Sequence, residues 1–175
     1  LVPTDLRALV QDVFDTQIAT SEANGNRLIL SPSLANLPPL LCDNFQIRQV
    51  LLNLIGNAIK FTENGVISVE ADYSTLDQIL DVRVLDTGIG IAEKDIERIF
   101  EDFVTLDTSY ARAADGTGLG LGITRRIVES LGGSIVAESE LGKGSLFRLR
   151  LPMAVSQIKP TVEMVQPASL PVLPS

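Results

Sequence analysis

The sequence predicts an α+β fold, a two-layer sandwich in which one mixed, mainly antiparallel sheet is covered on one face by three longer helices. The chain has 175 residues, 45% of them hydrophobic, which is enough for one domain with a substantial core. Three stretches carry apolar residues at helical spacing, and others alternate like half-buried strands. Helices and paired strands fall in separate runs, which is typical of α+β proteins.

The first helix is predicted near the N-terminus. Thr4 can cap it, and apolar residues recur every three or four positions up to about Asn24, where Gly25 ends the pattern. A short strand is predicted over residues 27–31, because apolar residues follow the glycine directly.

The second helix is predicted from the capping-box spacing of Asp43 and Gln46 and extends to about residue 61. One of its faces is apolar, and the opposite face is unusually rich in amides, which are poor helix formers. An ordinary solvated face is one reading. The other is a site for a hard cation and phosphate, in which an asparagine faces Mg²⁺ and a lysine contacts phosphate. The polar face consists of Gln46, Gln49, Asn53, Asn57 and Lys60.

Two strands are predicted next, over residues 66–73 and 79–85, after a turn at Asn64-Gly65. The second strand ends at residues 86–90, with the sequence DTGIG. Alternate glycines let the backbone approach a ligand closely, and an aspartate at a strand end can accept a hydrogen bond from an exocyclic amine. A plain β-turn is the alternative.

Glycines at every second position precede the third long helix. After a short helix over residues 92–100 and a polar loop, residues 115–122 read DGTGLGLG, and the helix is predicted over 118–131. Free amides and the positive end of the helix dipole favour an anion there. The spacing matches neither of the two common glycine-rich nucleotide motifs.

The chain is predicted to end in a hairpin and a tail. Strands over residues 134–138 and 145–151 flank the turn Gly142-Lys143-Gly144. The folded domain is predicted to cover residues 1–153. Residues 154–175 contain four of the nine prolines and no glycine, which favours a linker or disordered tail.

Composition excludes several function classes. The chain has no histidine, so it contains no Ser-His-Asp triad, no Cys-His pair and no zinc-histidine site. Its net charge of −8 argues against broad contact with nucleic acid or anionic membrane. The single cysteine, Cys42, cannot form an internal disulfide, and no apolar stretch approaches the length of a membrane span. These features predict a soluble, cytoplasmic domain.

Four motifs together resemble those of sensor histidine kinases. Residues 49–62 (QVLLNLIGNAIKFT) resemble the N box, 86–90 the G1 box, 99–103 (IFEDF) the F box and 116–121 (GTGLGL) the G2 box. Their order and spacing match, and the similarity covers about residues 4–152. The resemblance implies the Bergerat ATP-binding fold, shared by gyrase, the ninety-kilodalton heat-shock chaperone, mismatch-repair ATPases and histidine kinases.

The resemblance also implies a role for each matching position. Asn57 would coordinate Mg²⁺ with Asn53 beside it, Lys60 would contact phosphate oxygen, and Asp86 would bind the amino group of adenine. Residues 104–117 would form the ATP lid. The other positions would shape the purine pocket or hold the phosphates: Gly88, Gly90, Ile91, Phe103, Gly116, Thr117, Gly118, Leu119, Gly120 and Ser145.

The residue type at position 53 distinguishes the hydrolytic members of this fold from the kinases. Hydrolytic members have a glutamate one helical turn before the metal asparagine, where it activates water, whereas Asn53 cannot take a proton. The sequence therefore favours transfer of the γ-phosphate of ATP to a histidine outside this chain. A gyrase-like or mismatch-repair-like ATPase, an anti-sigma-factor serine kinase and a nucleotide-sensing module without transfer activity are the alternatives.

The kinase reading implies a set of partners. They are ATP with Mg²⁺, an upstream histidine-containing dimerisation domain of the same protein, and a response regulator or receiver domain, with no nucleic acid among them. The isolated fragment is expected to be monomeric and its parent homodimeric. Whether the parent is a hybrid kinase or membrane-anchored stays open.

Overall fold

The structure is a computed structural model that describes residues 1–101, 121–158 and 160. In chain order its elements are β1 (Val2–Thr4), α1 (Leu6–Ala23), β2 (Arg27–Leu30), β3 (Leu40–Cys42), α2 (Asn44–Lys60), β4 (Val66–Ser74), β5 (Ile79–Asp86), α3 (Glu93–Ile96), α4 (Leu121–Ser130), β6 (Ser134–Glu140), β7 (Gly144–Pro152) and β8 (Ala154–Val155). Two short 3₁₀ turns, Pro32–Asn36 and Arg98–Phe100, complete them.

The main sheet has five strands in the order β2-β4-β5-β7-β6. β2 pairs with β4 in parallel, and the other three pairings are antiparallel, which confirms the predicted mixed sheet. Register places Asp86 opposite Ser145 at the end of the β5–β7 ladder, and Ser145 opposite Ser139 in the β6–β7 ladder. Three polar side chains from three neighbouring strands thus lie in one row across the sheet.

One face of the sheet forms the core with the long helices. Residues of β4 and β5 alternate between buried and partly exposed, so that Ile67, Val69, Val82 and Val84 point into the core. α1 and α2 turn apolar stripes towards the same interior. Each square ångström of apolar surface removed from water in this way stabilises the fold by about 25 cal/mol. The predicted two-layer arrangement is confirmed.

The opposite face of the sheet carries charges in place of helices. Arg83 on β5 contacts Glu70 at 3.2 Å and Asp72 at 2.6 Å on β4, and Asp81 at 3.0 Å on its own strand. Arg148 on β7 contacts Asp81 from the other side at 2.5 Å. This alternation explains why helices cover one face only.

A second, three-stranded sheet was not predicted. β1, β3 and β8 form it in the order β1-β3-β8, all antiparallel. The prediction that Thr4 caps the first helix is wrong, because Thr4 belongs to β1. The cap is Asp5, whose carboxylate accepts from the amide of Ala8 at 3.1 Å.

Two regions differ more clearly from the prediction than the shifts of one or two residues at strand ends. The single helix expected over residues 92–100 is divided into α3 and a 3₁₀ turn. Ala154 and Val155 pair with β3, and the amide of Ser156 donates to the carbonyl of Pro39 at 2.7 Å, so the first residues of the expected tail lie against the small sheet. The division of the chain at residue 153 stays a prediction.

None of the described helices combines the length and the apolar character needed to cross a membrane.

Candidate functional site

A pocket lies between α2, β5 and β7. Its lining is mostly apolar, and three polar side chains, those of Asn57, Asp86 and Ser145, interrupt it. An apolar pocket with a few convergent polar groups is the usual form of a small-molecule site. Asp86 contributes the one ionisable side chain among the described lining residues, which are Asn57, Ala58, Phe61, Asp86, Gly90, Ile91, Leu121, Ser145 and Phe147.

Asp86 stands at the end of β5 with its carboxylate held by backbone amides. The amide of Gly88 donates to Oδ1 at 2.9 Å, and the amide of Ser145 donates to the same carboxylate. Burial raises the pKa of Asp86 to about 6, and the two amide hydrogen bonds oppose that rise. At neutral pH the group is an ionised hydrogen-bond acceptor facing an apolar pocket.

Two glycines after Asp86 are required by close approaches of other chain segments. A Cβ on Gly88 would lie 2.2 Å from the carbonyl oxygen of Phe61, and the neighbouring amide of Ile89 donates to that carbonyl at 3.0 Å. Gly90 has φ +71°, and a Cβ there would lie 2.1 Å from the carbonyl oxygen of Glu140. The loop is therefore wedged between the end of α2 and the end of β6.

A serine on β6 joins the segments around Asp86. Ser139 Oγ accepts from the amide of Ile91 at 2.7 Å and donates to the carbonyl of Gly144 at 2.8 Å. It also lies 2.8 Å from Ser145 Oγ. One hydroxyl thus connects the loop after β5, the start of β7 and the pocket lining.

The polar face of α2 supplies the other end of the site. Asp43 caps the helix as predicted and accepts from the amide of Gln46 at 3.2 Å, but the return bond of a capping box is not made, because Gln46 Oε1 is buried without a hydrogen-bond partner. Asn57 lines the pocket. Asn53, one turn earlier, donates through Nδ2 to Thr124 Oγ1 on α4 at 3.1 Å, and Gln49 donates to its Oδ1 at 3.5 Å.

The structure brings five of the predicted residues together in the pocket: Asn57, Asp86, Gly90, Ile91 and Ser145. Asn53 and Gly88 lie beside it and do not line it, and Lys60 is exposed at the end of α2. The remaining predicted site residues lie outside the described part of the chain: Phe103, Gly116, Thr117, Gly118, Leu119 and Gly120.

Several lining residues were missed by sequence reasoning. Ala58 on α2 and Phe61, the residue that caps this helix, follow Asn57 at spacings of one and four, so helical periodicity could have indicated Phe61. Phe147 is two residues beyond Ser145 on β7, and the period-2 rule for strands places both on one face. Ser139, which is not a lining residue, carried no sequence signal, because its contacts with the site depend on strand register.

A family model matches a stretch of the chain that includes all the described lining residues of this pocket. The model of the histidine kinase-, DNA gyrase B- and HSP90-like ATPase family matches residues 42–155, well over half of the chain. The chain belongs to this family. Together with the relatives described next, this match confirms the predicted resemblance to histidine kinases and the predicted Bergerat fold, and the chain contains an ATP-binding catalytic domain.

Individual members of the family show the same likeness. The aerobic respiration control sensor protein ArcB of Escherichia coli is 35% identical over 150 residues, which are 85% of this chain and 19% of ArcB. Full-length ShkA in complex with AMPPNP has a TM-score of 0.77 at 34% identity, covering 89% of this chain and 32% of that one. Histidine kinase ThkA in complex with response regulator TrrA has a TM-score of 0.69 at 27% identity, covering 86% and 41%. The chain thus spans about a fifth of ArcB.

Proposed function

We propose that this ATPase-family domain transfers the γ-phosphate of ATP to a histidine on a separate dimerisation domain of the same protein. The observation that carries the proposal is the amide at position 53. In the hydrolytic members of the fold, a glutamate occupies that place and activates water. Here Asn53 uses its Nδ2 to hold Thr124, and an amide cannot accept the proton of an attacking water.

The ionisable groups of the site support the same conclusion. Asp86 is the sole ionisable side chain in the described lining. It lies at the strand end where the adenine is expected, and not beside Asn53, so it does not replace the missing general base. A neutral imidazole is already nucleophilic, so its phosphorylation requires positioning and charge neutralisation more than a base. The chain has no histidine, so the acceptor is supplied by another segment or chain.

The purine end of the site is proposed to consist of five residues. Asp86 accepts a hydrogen bond from the exocyclic amine of adenine. Gly88 and Gly90 allow the loop to pass close to the base, while Ile91 and Ser145 complete the wall. The apolar lining and the ionised acceptor support this assignment.

The phosphate end is proposed to consist of Asn57, Lys60 and the glycine-rich segment of residues 116–120. Asn57 presents an amide to the pocket, and Lys60, exposed one turn further on, is a point charge for phosphate oxygen. Because the chain carries a net charge of −8, binding of a polyanion depends on such local groups.

The donor set fits Mg²⁺ bound jointly with the nucleotide. No group of three or more acidic, cysteine or histidine side chains able to hold a metal occurs in the described residues. Mg²⁺ in nucleotide sites takes one or two protein oxygens and completes its shell with phosphate and water, for which the amide of Asn57 suffices. When bound, the ion neutralises phosphate charge.

We propose a response regulator or receiver domain as the partner that takes the phosphate onward. The complex of ThkA with TrrA shows such a pairing for a protein of similar fold. The domain is proposed to be cytoplasmic and monomeric in isolation, within a homodimeric parent.

The proposal is tested by incubating the 175-residue chain with γ-labelled ATP, Mg²⁺ and the histidine-containing dimerisation domain of its own parent. We expect acid-labile, alkali-stable phosphate on that domain and little free phosphate without it. Rapid ATP hydrolysis by the chain alone, with no transfer, would indicate the ATPase alternative. Binding of ATP with neither reaction would indicate a nucleotide-sensing module.

A further inference from the structure

We infer that Ser139 is a positioning residue that sets the nucleobase preference of the pocket by fixing the hydroxyl proton of Ser145. The inference rests on the proposed purine end of the site and goes beyond it, because Ser139 is outside the pocket lining.

Ser139 has a single hydroxyl proton, and the carbonyl of Gly144 takes it at 2.8 Å. Its oxygen accepts from the amide of Ile91 at 2.7 Å. The remaining neighbour, Ser145 Oγ at 2.8 Å, can therefore bond to Ser139 only as the donor. The hydroxyl proton of Ser145 points along the sheet towards β6.

That direction determines what Ser145 can offer to a ligand. Ser145 lines the pocket. Because Ser145 donates its one hydroxyl proton to Ser139, the Oγ of Ser145 can only accept a hydrogen bond from a ligand. Asp86, directly opposite Ser145 in the β5–β7 ladder, is an acceptor when ionised. This wall of the pocket therefore carries two acceptors, one on each of two neighbouring strands.

Two acceptors suit a base with an exocyclic amine and oppose one with a carbonyl at the same place. Adenine carries the amine, whereas hypoxanthine and guanine carry an oxygen that would face Asp86 and Ser145 without a proton between them. Rejection through unpaired polar groups is stronger than rejection by shape alone. Removing Ser139 frees the proton of Ser145, which could then donate to such a carbonyl.

Inosine triphosphate is the matched probe, because it differs from ATP chiefly by a carbonyl in place of the amine. Calorimetry on the 175-residue chain with Mg²⁺ gives both dissociation constants. We expect Ser139→Ala to lower the preference for ATP over inosine triphosphate about fivefold, the value of one net hydrogen bond. Ser139→Thr keeps the hydroxyl and should restore the preference. Ser134→Ala, at an exposed serine of the same strand, should leave it unchanged.

A double-mutant cycle tests whether Ser139 acts through Ser145. In a Ser145→Ala background, Ser139→Ala should not change the preference further. Equal weakening of both nucleotides by Ser139→Ala, or an effect that persists without Ser145, would overturn the inference and leave the proposed function intact. If Ser139→Ala unfolds, Ser139→Cys replaces it with a similar shape and a weak donor. A wild-type chain that binds neither nucleotide would overturn both.

Discussion

The two ends of the pocket are constructed differently. At the purine end, backbone groups do most of the fixing: Asp86 is held by two amides, and Gly90 lies against the carbonyl of Glu140. At the phosphate end, side chains on one face of α2 supply the chemistry, and Lys60 is exposed to solvent. On the proposed assignment, groups held by the backbone recognise the base, and side chains on one helix face recognise the phosphates.

Among substitutions that would test the difference between the two ends, the largest effect is expected on phosphotransfer, at the phosphate end. Asn57→Ala removes the proposed oxygen ligand of Mg²⁺ and should lower phosphotransfer at least about 100-fold, while binding of adenosine alone stays near wild type. Phosphotransfer kinetics and adenosine calorimetry check the two parts. Asn44→Ala, on the exposed first residue of α2, is the control. Equal loss of adenosine binding would show that the two ends are not separable.

At the purine end, the first effect expected is on stability. Gly90→Ala places a Cβ 2.1 Å from a backbone oxygen at φ +71°, and should lower the free energy of unfolding by about 3 kcal/mol. Gly142→Ala is the matched control, because φ is +80° with no atom within 4 Å, and should cost about 1 kcal/mol. Urea unfolding measures both. Similar losses for the two variants would mean that the wedged loop is not the cause.

A somewhat smaller effect is expected in the pH dependence of stability. The pKa of Asp86 is about 6 in the folded state against 3.8 for the ordinary group, so the folded state binds the proton more tightly. Stability contributed by this carboxyl is therefore present at low pH and falls as pH rises from about 4 to 6, by about 2–3 kcal/mol. Unfolding of wild type and Asp86→Asn across this window measures the effect: the stability of the wild type relative to the variant should fall as pH rises and become constant above pH 7. A difference that is flat with pH would refute the raised pKa.

Features that depend on residues close together in the sequence, such as helix faces and glycine-rich loops, could be predicted from the sequence. Helix periodicity placed Asn57 on the polar face of α2, and glycine spacing identified the loop after Asp86. The small sheet escaped prediction because β1, β3 and β8 are two or three residues long and far apart in sequence, so no stretch carries a period.

The same reasoning explains the missed part of the site. In the sequence, Ser139 lies one residue beyond the predicted strand and looks like any polar residue facing solvent. It becomes notable only when the β6–β7 register places it opposite Ser145, and when the loop ending at Ile91 reaches its oxygen. Similarly, Asp5 and Thr4 are both good caps, and pairing of β1 with β3 decides between them.

The absence of a base at position 53 is the proposed reason why the domain transfers phosphate to a histidine and does not hydrolyse ATP. Asn53→Glu restores the carboxylate of the hydrolytic members at that position, and measuring ATP hydrolysis by this variant and wild type, without any acceptor, tests the claim most directly. We predict slow hydrolysis by the wild type and hydrolysis at least about 10-fold faster by Asn53→Glu. Fast hydrolysis by the wild type in the absence of any acceptor would contradict it.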